Sequence, residues 1–479
     1  MPGASPADLS FIDMSTDVYK LLKGILELPM ELRNMIATYS SDSMLWRPVN
    51  VLSWGADIFE KLQTLPVHTI CAGELNQLSI RNWVNSNVSQ PLGPRGTSNA
   101  PRFLRIGIDI SGVQFIEPLD DRPVSRDSRF PDCFRYIVEE IDKLKPLKLM
   151  TNGLFYCIEA PTDQSIIPTL WNIPNPPDLS TFRVAPTRNT KPRRMSLISI
   201  DSDLTGISIF CTPRQIYGIH AHTALYPSAM PAWGRLSRAS KVELLWVYFP
   251  LNAGESIYEA WIRRRAGHPS TTFPMLMLKT NFGRFCMYGP NRGPDYLEYR
   301  VSCLADKGIS QIVHEDPEPG DPIQYFGVFP TLDTEPQRQQ LPRLHSGPTV
   351  DRGWCNDFLC TEARLENVIE ARCFVIGMEN HGDYNQDTCM GVLLTYSTGM
   401  QEALGRCCVG LYESITVKDP VAFHWRKSRT VRGIDGVCVG FSSDEVKFNT
   451  LTEVGWQTTK MSGKAVWWFD FNRVYLMIR

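Results

Sequence analysis

The motifs that usually announce a reaction are missing from this chain. There is no GxSxG elbow, GxGxxG loop, P-loop or HExxH helix. Serine-hydrolase chemistry, nucleotide-dependent chemistry and the common forms of zinc hydrolysis are therefore disfavoured. The 13 cysteines include no CxxC pair, which removes support for zinc ribbons and thioredoxin-like redox sites. The close pairs Cys355/Cys360 and Cys407/Cys408 have no second pair at metal-ligand spacing, so reduced, mostly buried thiols are expected. An excess of one charge is also missing. Lys plus Arg total 49 against 51 Asp plus Glu, so no basic surplus points to nucleic acid. The longest apolar run, Leu244–Leu251, is far short of the ~20 residues a membrane-spanning helix needs. Residues 1–20 lack the basic stretch and apolar core of a secretory leader. Together these absences predict a cytoplasmic or nuclear protein that is not secreted, with no membrane span, no nucleic-acid partner, no cofactor and no metal.

What is present is the punctuation of a β protein. The chain has 35 prolines, 33 glycines and 12 tryptophans in 479 residues, and short aromatic or β-branched runs lie between the breaks. The length calls for two or three core-forming units. The expected fold is mainly β (α+β). A short helical segment leads a large antiparallel β body, a sandwich or irregular barrel, with an uneven propeller as the alternative. The expected boundaries are a helical segment at 1–84, a β-rich unit at 103–314 with a Pro-rich excursion at 159–194, and a second β-rich unit at 349–479 packed on the first.

Local patterning supports this reading. In residues 103–119, Leu104, Ile106, Ile108 and Ile110 share one face, and a Ser-Gly turn leads to Val113 and Phe115. Residues 134–150 read as a short amphipathic segment. Residues 206–220 form a hairpin matched in length and opening glycine by 391–405, and 106–115 resembles 198–210. Residues 241–251 are a buried strand, and 275–290 turn near Gly283. Residues 465–478 are aromatic on both faces, as a central strand or a ligand-facing wall would be.

Two spots carry candidate chemistry. His220 and His222 lie two apart on a strand and so point to one side, as in a metal-binding HxH pair. No third ligand follows at the required spacing, which favours a hydrogen-bonded structural pair. Asp201 and Asp203 flank a serine, a pattern that turn formation explains. Lys191, Arg193 and Arg194 lack interleaved aromatics and read as a solvated run. The run Glu379–Tyr384 is a polar loop. Catalytic residues are not identifiable. The candidates for lining a ligand pocket are Tyr217, His220, His222, Trp246, Trp467 and Trp468.

The clearest helical signal is LELPMELRNMIATYS. Pro29 suits a first helical turn, Glu31 complements the helix dipole, and Leu28, Leu32, Ile36 and Tyr39 form one apolar stripe with Met35 beside it. This LPxEL segment resembles an F-box-like segment of fungal proteins. The remaining chain is similar to a fungal F-box-like family with a large β-rich body. The residues that carry this likeness are Gly206–Phe210, Ile219–Thr223, Trp246–Tyr248, Gly391–Tyr396 with Ala403–Gly405, and Trp467–Phe469. The resemblance implies a docking surface for a Skp1 adaptor at Leu28, Pro29, Leu32, Arg33 and Ile36, and a body that binds a protein or a small apolar ligand. It implies no particular activity. A second reading stays open: a cofactor-free enzyme of fungal secondary metabolism, of the cyclase or Diels–Alderase type, acting on a terpenoid-like substrate. Such catalysis needs only a shaped apolar pocket and leaves no motif. This chain is similar to such enzymes in lacking motifs and in its aromatic supply.

Overall fold

The computed structural model describes residues 28–29, 31–32, 35, 68–71, 101–109, 112–123, 134–144, 147–151, 156–159, 168–184, 194–236, 244–265, 273–289, 299–332, 358–375, 388–429, 435–443, 456–471 and 473–479. They fall into two compact units, Met1–Pro168 and Thr169–Arg479. Strands dominate both, helices are few, and no sheet among the described residues closes into a barrel. No helix among these residues is long and apolar enough to cross a membrane.

In the first unit, β1 (His68–Cys71), β5 (Lys148–Thr151) and β6 (Tyr156–Glu159) form one antiparallel sheet. The alternating stretch forms the expected hairpin, β2 (Phe103–Asp109) with β3 (Gly112–Leu119), and Leu104 and Ile106 are buried. A bulge leaves Gln114 without a partner on β2, and its side-chain amide turns to the Asp109 carboxylate at 2.9 Å. The segment expected to be amphipathic instead begins as β4 (Arg135–Glu140), paired with β2. Tyr136, Ile137 and Val138 are all buried in succession, which only a strand covered on both faces permits. A single helical turn, α1 (Ile141–Leu144), then leads towards β5.

The second unit repeats a set of sheet patterns. Its first half contains β7 (Leu170–Trp171), β8 (Arg183–Val184), β9 (Arg194–Ser199), β10 (Gly206–Thr212), β11 (Gln215–His222), α2 (Met230–Arg235) and β12 (Leu245–Pro250). It continues with β13 (Ile257–Arg265), β14 (Met275–Thr280), β15 (Phe285–Met287), β16 (Tyr299–Ala305), β17 (Ile309–Glu315) and β18 (Phe326–Pro330). The second half contains β19 (Leu359–Arg364), β20 (Val368–Val375), β21 (Cys389–Tyr396), β22 (Gln401–Gly405) and β23 (Glu413–Lys418). It ends with β24 (Ala422–Arg429), β25 (Asp435–Ser442), β26 (Gln457–Lys460), β27 (Lys464–Phe469) and β28 (Val474–Ile478).

Strands β13–β16 and β20–β23 form sheets of the same order, with the fourth strand beside the first and the second and third following. This is Greek-key order. The three-stranded sheets β11-β10-β12 and β25-β24-β26 both place their first strand in the centre. Strands β9 and β19 pair with strands that return after these modules, β17 and β27, and each of those hairpins to the next strand. Each half therefore carries the same three patterns. One hydrophobic core runs through both, including Ile198, Ile209, Leu278, Leu394, Phe423, Trp467 and Phe469.

A buried ion pair ties the halves together. The Glu255 carboxylate has no exposed side-chain surface, and it accepts Arg284 Nη2–H at 2.6 Å and Nε–H at 2.8 Å. The guanidinium also donates to the Pro250 carbonyl and, at 3.2 Å, to the Gln401 carbonyl on β22. Asn252 completes the lock, donating to Glu255 at 2.7 Å and accepting the Gln401 N–H at 2.6 Å. Burial alone would raise the Glu255 pKa, but the Arg284 hydrogen bonds and charge hold it below the ordinary 4.5. Removing one partner of a buried pair leaves a desolvated charge, so Arg284→Met should destabilise the fold by about 3–5 kcal/mol in urea denaturation. Glu255 is lowered in the folded state, so its contribution is complete above pH 4.5 and lost as pH falls through the folded value. Glu255→Gln should flatten that acid slope.

Candidate functional site

The candidate histidines sit on the sheet β11-β10-β12. Register pairs Gly206 with His222, Ser208 with His220 and Tyr248, and Phe210 with Gly218 and Trp246. These residues share one face because side chains alternate along a strand. Ile207, Ile209 and Cys211 face the main core on the other side. Gly206 is bare for a steric reason: a Cβ there would stand 2.8 Å from the Tyr248 ring.

Ser208 is the centre of this face and has no exposed surface. Its hydroxyl oxygen lies 2.9 Å from Trp246 Nε1 and 2.7 Å from His222 Nε2. His222 Nδ1 lies 2.9 Å from the Pro227 carbonyl oxygen. An indole N–H can only donate and a carbonyl can only accept, so the chain has one direction. Trp246 donates to Ser208, Ser208 donates to His222 Nε2, and His222 donates from Nδ1 to Pro227. That assignment requires a neutral imidazole, and burial does hold the His222 pKa below its ordinary 6.5, with the Pro227 bond opposing. The Tyr248 ring stands edge-on to His222 at 4.8 Å, and burial pushes its hydroxyl up to about 12.

The hydrogen bond between Ser208 and His222 has the geometry of a nucleophile and its base. Its surroundings give it another task. Trp246 occupies the oxygen, and Trp246 and His222 are themselves buried. Trp233 of α2 packs on Trp246 and Phe210, and Ala229, Ala232 and Cys408 close the cluster. A substrate has no approach to Ser208. The chain of bonds instead pins the loop before α2 to the sheet. His220 does the same, with Nε2 3.1 Å from the Tyr226 carbonyl. Among the described residues no cluster of three or more His, Cys, Asp or Glu is placed to hold a metal ion.

The other sequence candidates lie elsewhere. Tyr217 is half-buried beside the β10–β11 bulge and donates its hydroxyl to Gln215 at 2.5 Å. Trp467 and Trp468 are buried on opposite faces of β27, Trp467 in the main core and Trp468 against Phe358. The aromatic run 465–478 is a hairpin, β27–β28, rather than one strand. The Asp201 carboxylate accepts the Asp203 N–H at 3.0 Å in an exposed turn. Arg194 is in β9 and pairs with Glu318 at 3.1 Å. Glu379–Tyr384 lies outside the described residues. Cys211, Cys286, Cys373, Cys389, Cys407, Cys408 and Cys438 are buried free thiols, and burial pushes Cys408 to about 12. Beside Trp467 is a half-open cavity of about 20 Å³, room for one or two water-sized groups. Ser208 and Arg406, which line these places, carry no motif. Their only sequence signal is a polar residue within or just after an apolar strand.

No protein-family model matches the chain, and no curated protein matches it at a significant level.

Replacing Ser208 by Ala would leave both the Trp246 N–H and the His222 acceptor buried and unpaired. A loss of about 1–3 kcal/mol in thermal or urea unfolding is expected. Because the folded protein binds the His222 proton less tightly than the unfolded chain, stability is complete above pH 6.5 and falls as pH drops towards the folded value. His222→Gln should reduce that slope. It should not abolish it, because burial lowers His314 and His424 in the same way.

Proposed function

We propose that the chain is a binding protein of the F-box-like type. The segment around Leu28–Ile36 docks on a Skp1 adaptor, and the β-rich remainder receives a protein or small apolar ligand. The observation that carries this reading is the exposure of Leu32 and Met35, at 45% and 54%. Leu32 and Met35 have helical backbone, follow Pro29, and lie three residues apart, so they share a face. Exposed apolar neighbours on one helical face suit a covering partner. Leu28 is half-buried, and Arg33 and Ile36 lie outside the described residues. The cyclase alternative requires an apolar pocket that encloses a terpenoid. The cavity beside Trp467 is far smaller, and no observation on the described residues favours that reading.

A pull-down with purified Skp1 tests the proposal. The native protein should retain Skp1, and a Leu32→Ala/Ile36→Ala variant should bind about tenfold or more weakly. Failure of the native protein to retain Skp1 would end the adaptor reading.

A further inference from the structure

The cavity beside Trp467 lies where buried donors go unused. Its wall includes Thr388, Arg406, Gly436, Trp467, Asp470 and Arg473. Trp467 and Thr388 are 0% and 3% exposed, yet neither the indole Nε1 nor the threonine Oγ1 has a hydrogen-bond partner. Behind Gly436, the Ser428 hydroxyl is also buried and unpartnered. A Cβ on Gly436 would stand 2.8 Å from that oxygen and 3.1 Å from Thr388 Cγ2, so glycine keeps this wall open. Buried polar groups are nearly always satisfied, and two orphans on residues lining one space point to an occupant.

The charges around the space define what that occupant is. Arg473 pairs with the Asp470 carboxylate at 3.1 Å, and the same carboxylate accepts the Arg473 backbone N–H at 2.7 Å. That pair cancels. Arg406 donates Nη2–H to the Asp470 backbone carbonyl at 2.8 Å and has no carboxylate partner among the described residues. Cys389 stays a neutral thiol because burial raises its pKa. The site thus combines a positive charge that no described carboxylate matches with an indole N–H and a threonine hydroxyl. Guanidinium and indole can only donate, so the fitting occupant accepts hydrogen bonds, and the part-buried Arg406 charge beside it favours a negative one. A water would satisfy the orphaned donors without drawing on that charge.

We propose that this cavity binds a carboxylate group, with Trp467 Nε1–H and Thr388 Oγ1–H as donors and Arg406 supplying the charge. The space admits the oxygens of one carboxylate, and the open side lets the rest of the ligand lie outside. The carboxylate could belong to a small acid or to a peptide C-terminus. The inference stands independently of adaptor docking.

The test is saturation-transfer NMR of the full chain with formate, using formamide as the neutral counterpart. Formate should show transfer and formamide none. Trp467→Phe keeps the ring and removes the donor, and Thr388→Val keeps the shape. Each should weaken formate binding about tenfold, as should Arg406→Gln. Circular dichroism identifies any variant that fails to fold, and the remaining variants then decide. Competition by a short peptide with a free but not an amidated C-terminus assigns a chain terminus. Formate binding without such competition assigns a free small acid. Absence of formate transfer, equal transfer from formamide, or unchanged binding in folded Trp467→Phe and Thr388→Val would overturn the proposal.

Discussion

The second unit depends on the ion pair between Glu255 and Arg284. A carboxylate with no solvent contact is tolerated only when its charge is matched and its oxygens are bonded. Here the matching side chain comes from the β14–β15 turn, the carboxylate from the β12–β13 turn, and further acceptors from Pro250 and the start of β22. Three turns must meet for the charges to be satisfied. The aliphatic core is non-directional and would accept small shifts of one sheet on another. The bidentate pair would not, because its fork fixes distance and angle together.

The same economy explains the histidines. In the sheet β11-β10-β12, a buried Ser–His pair runs between neighbouring strands through Ser208 and His222. In the sheet of matching order, β25-β24-β26, His424 of the central strand lies 2.9 Å from Ser442 Oγ and 3.0 Å from Thr458 Oγ1. Two sheets with the same strand order each use one neutral imidazole to bond hydroxyls of adjacent strands, one in the first sheet and two in the second. That recurrence fits a structural device. A nucleophile would occur once, at an accessible place.

Much of the strand content was legible because alternation and punctuation are local signals. The hairpins at 206–222 and 275–287 follow from apolar runs broken by a turn, and Gly283 adopts the positive φ that its turn requires. Pairing between distant strands was not legible. The likeness of 106–115 to 198–210 suggested a common hairpin, yet β9 leaves the Asp201 turn for a different sheet and pairs with β17. The shared opening glycines, Gly206 and Gly391, serve different neighbours: the Tyr248 ring and the Arg406 backbone. Of the candidate site, the two histidines were visible and their partners were not. Ser208 meets them only through register, and Arg284 meets Glu255 only after the chain has folded twice.

Strands β9–β18 and β19–β28 share one core, and the Glu255–Arg284 lock fastens it into one cooperative unit. Native-state hydrogen exchange measures this directly. The slowest amides of β10, β14, β21 and β27 should open with a single common free energy and a common denaturant dependence. Two distinct plateaus, one for each half, would show that the halves unfold separately and would contradict the account.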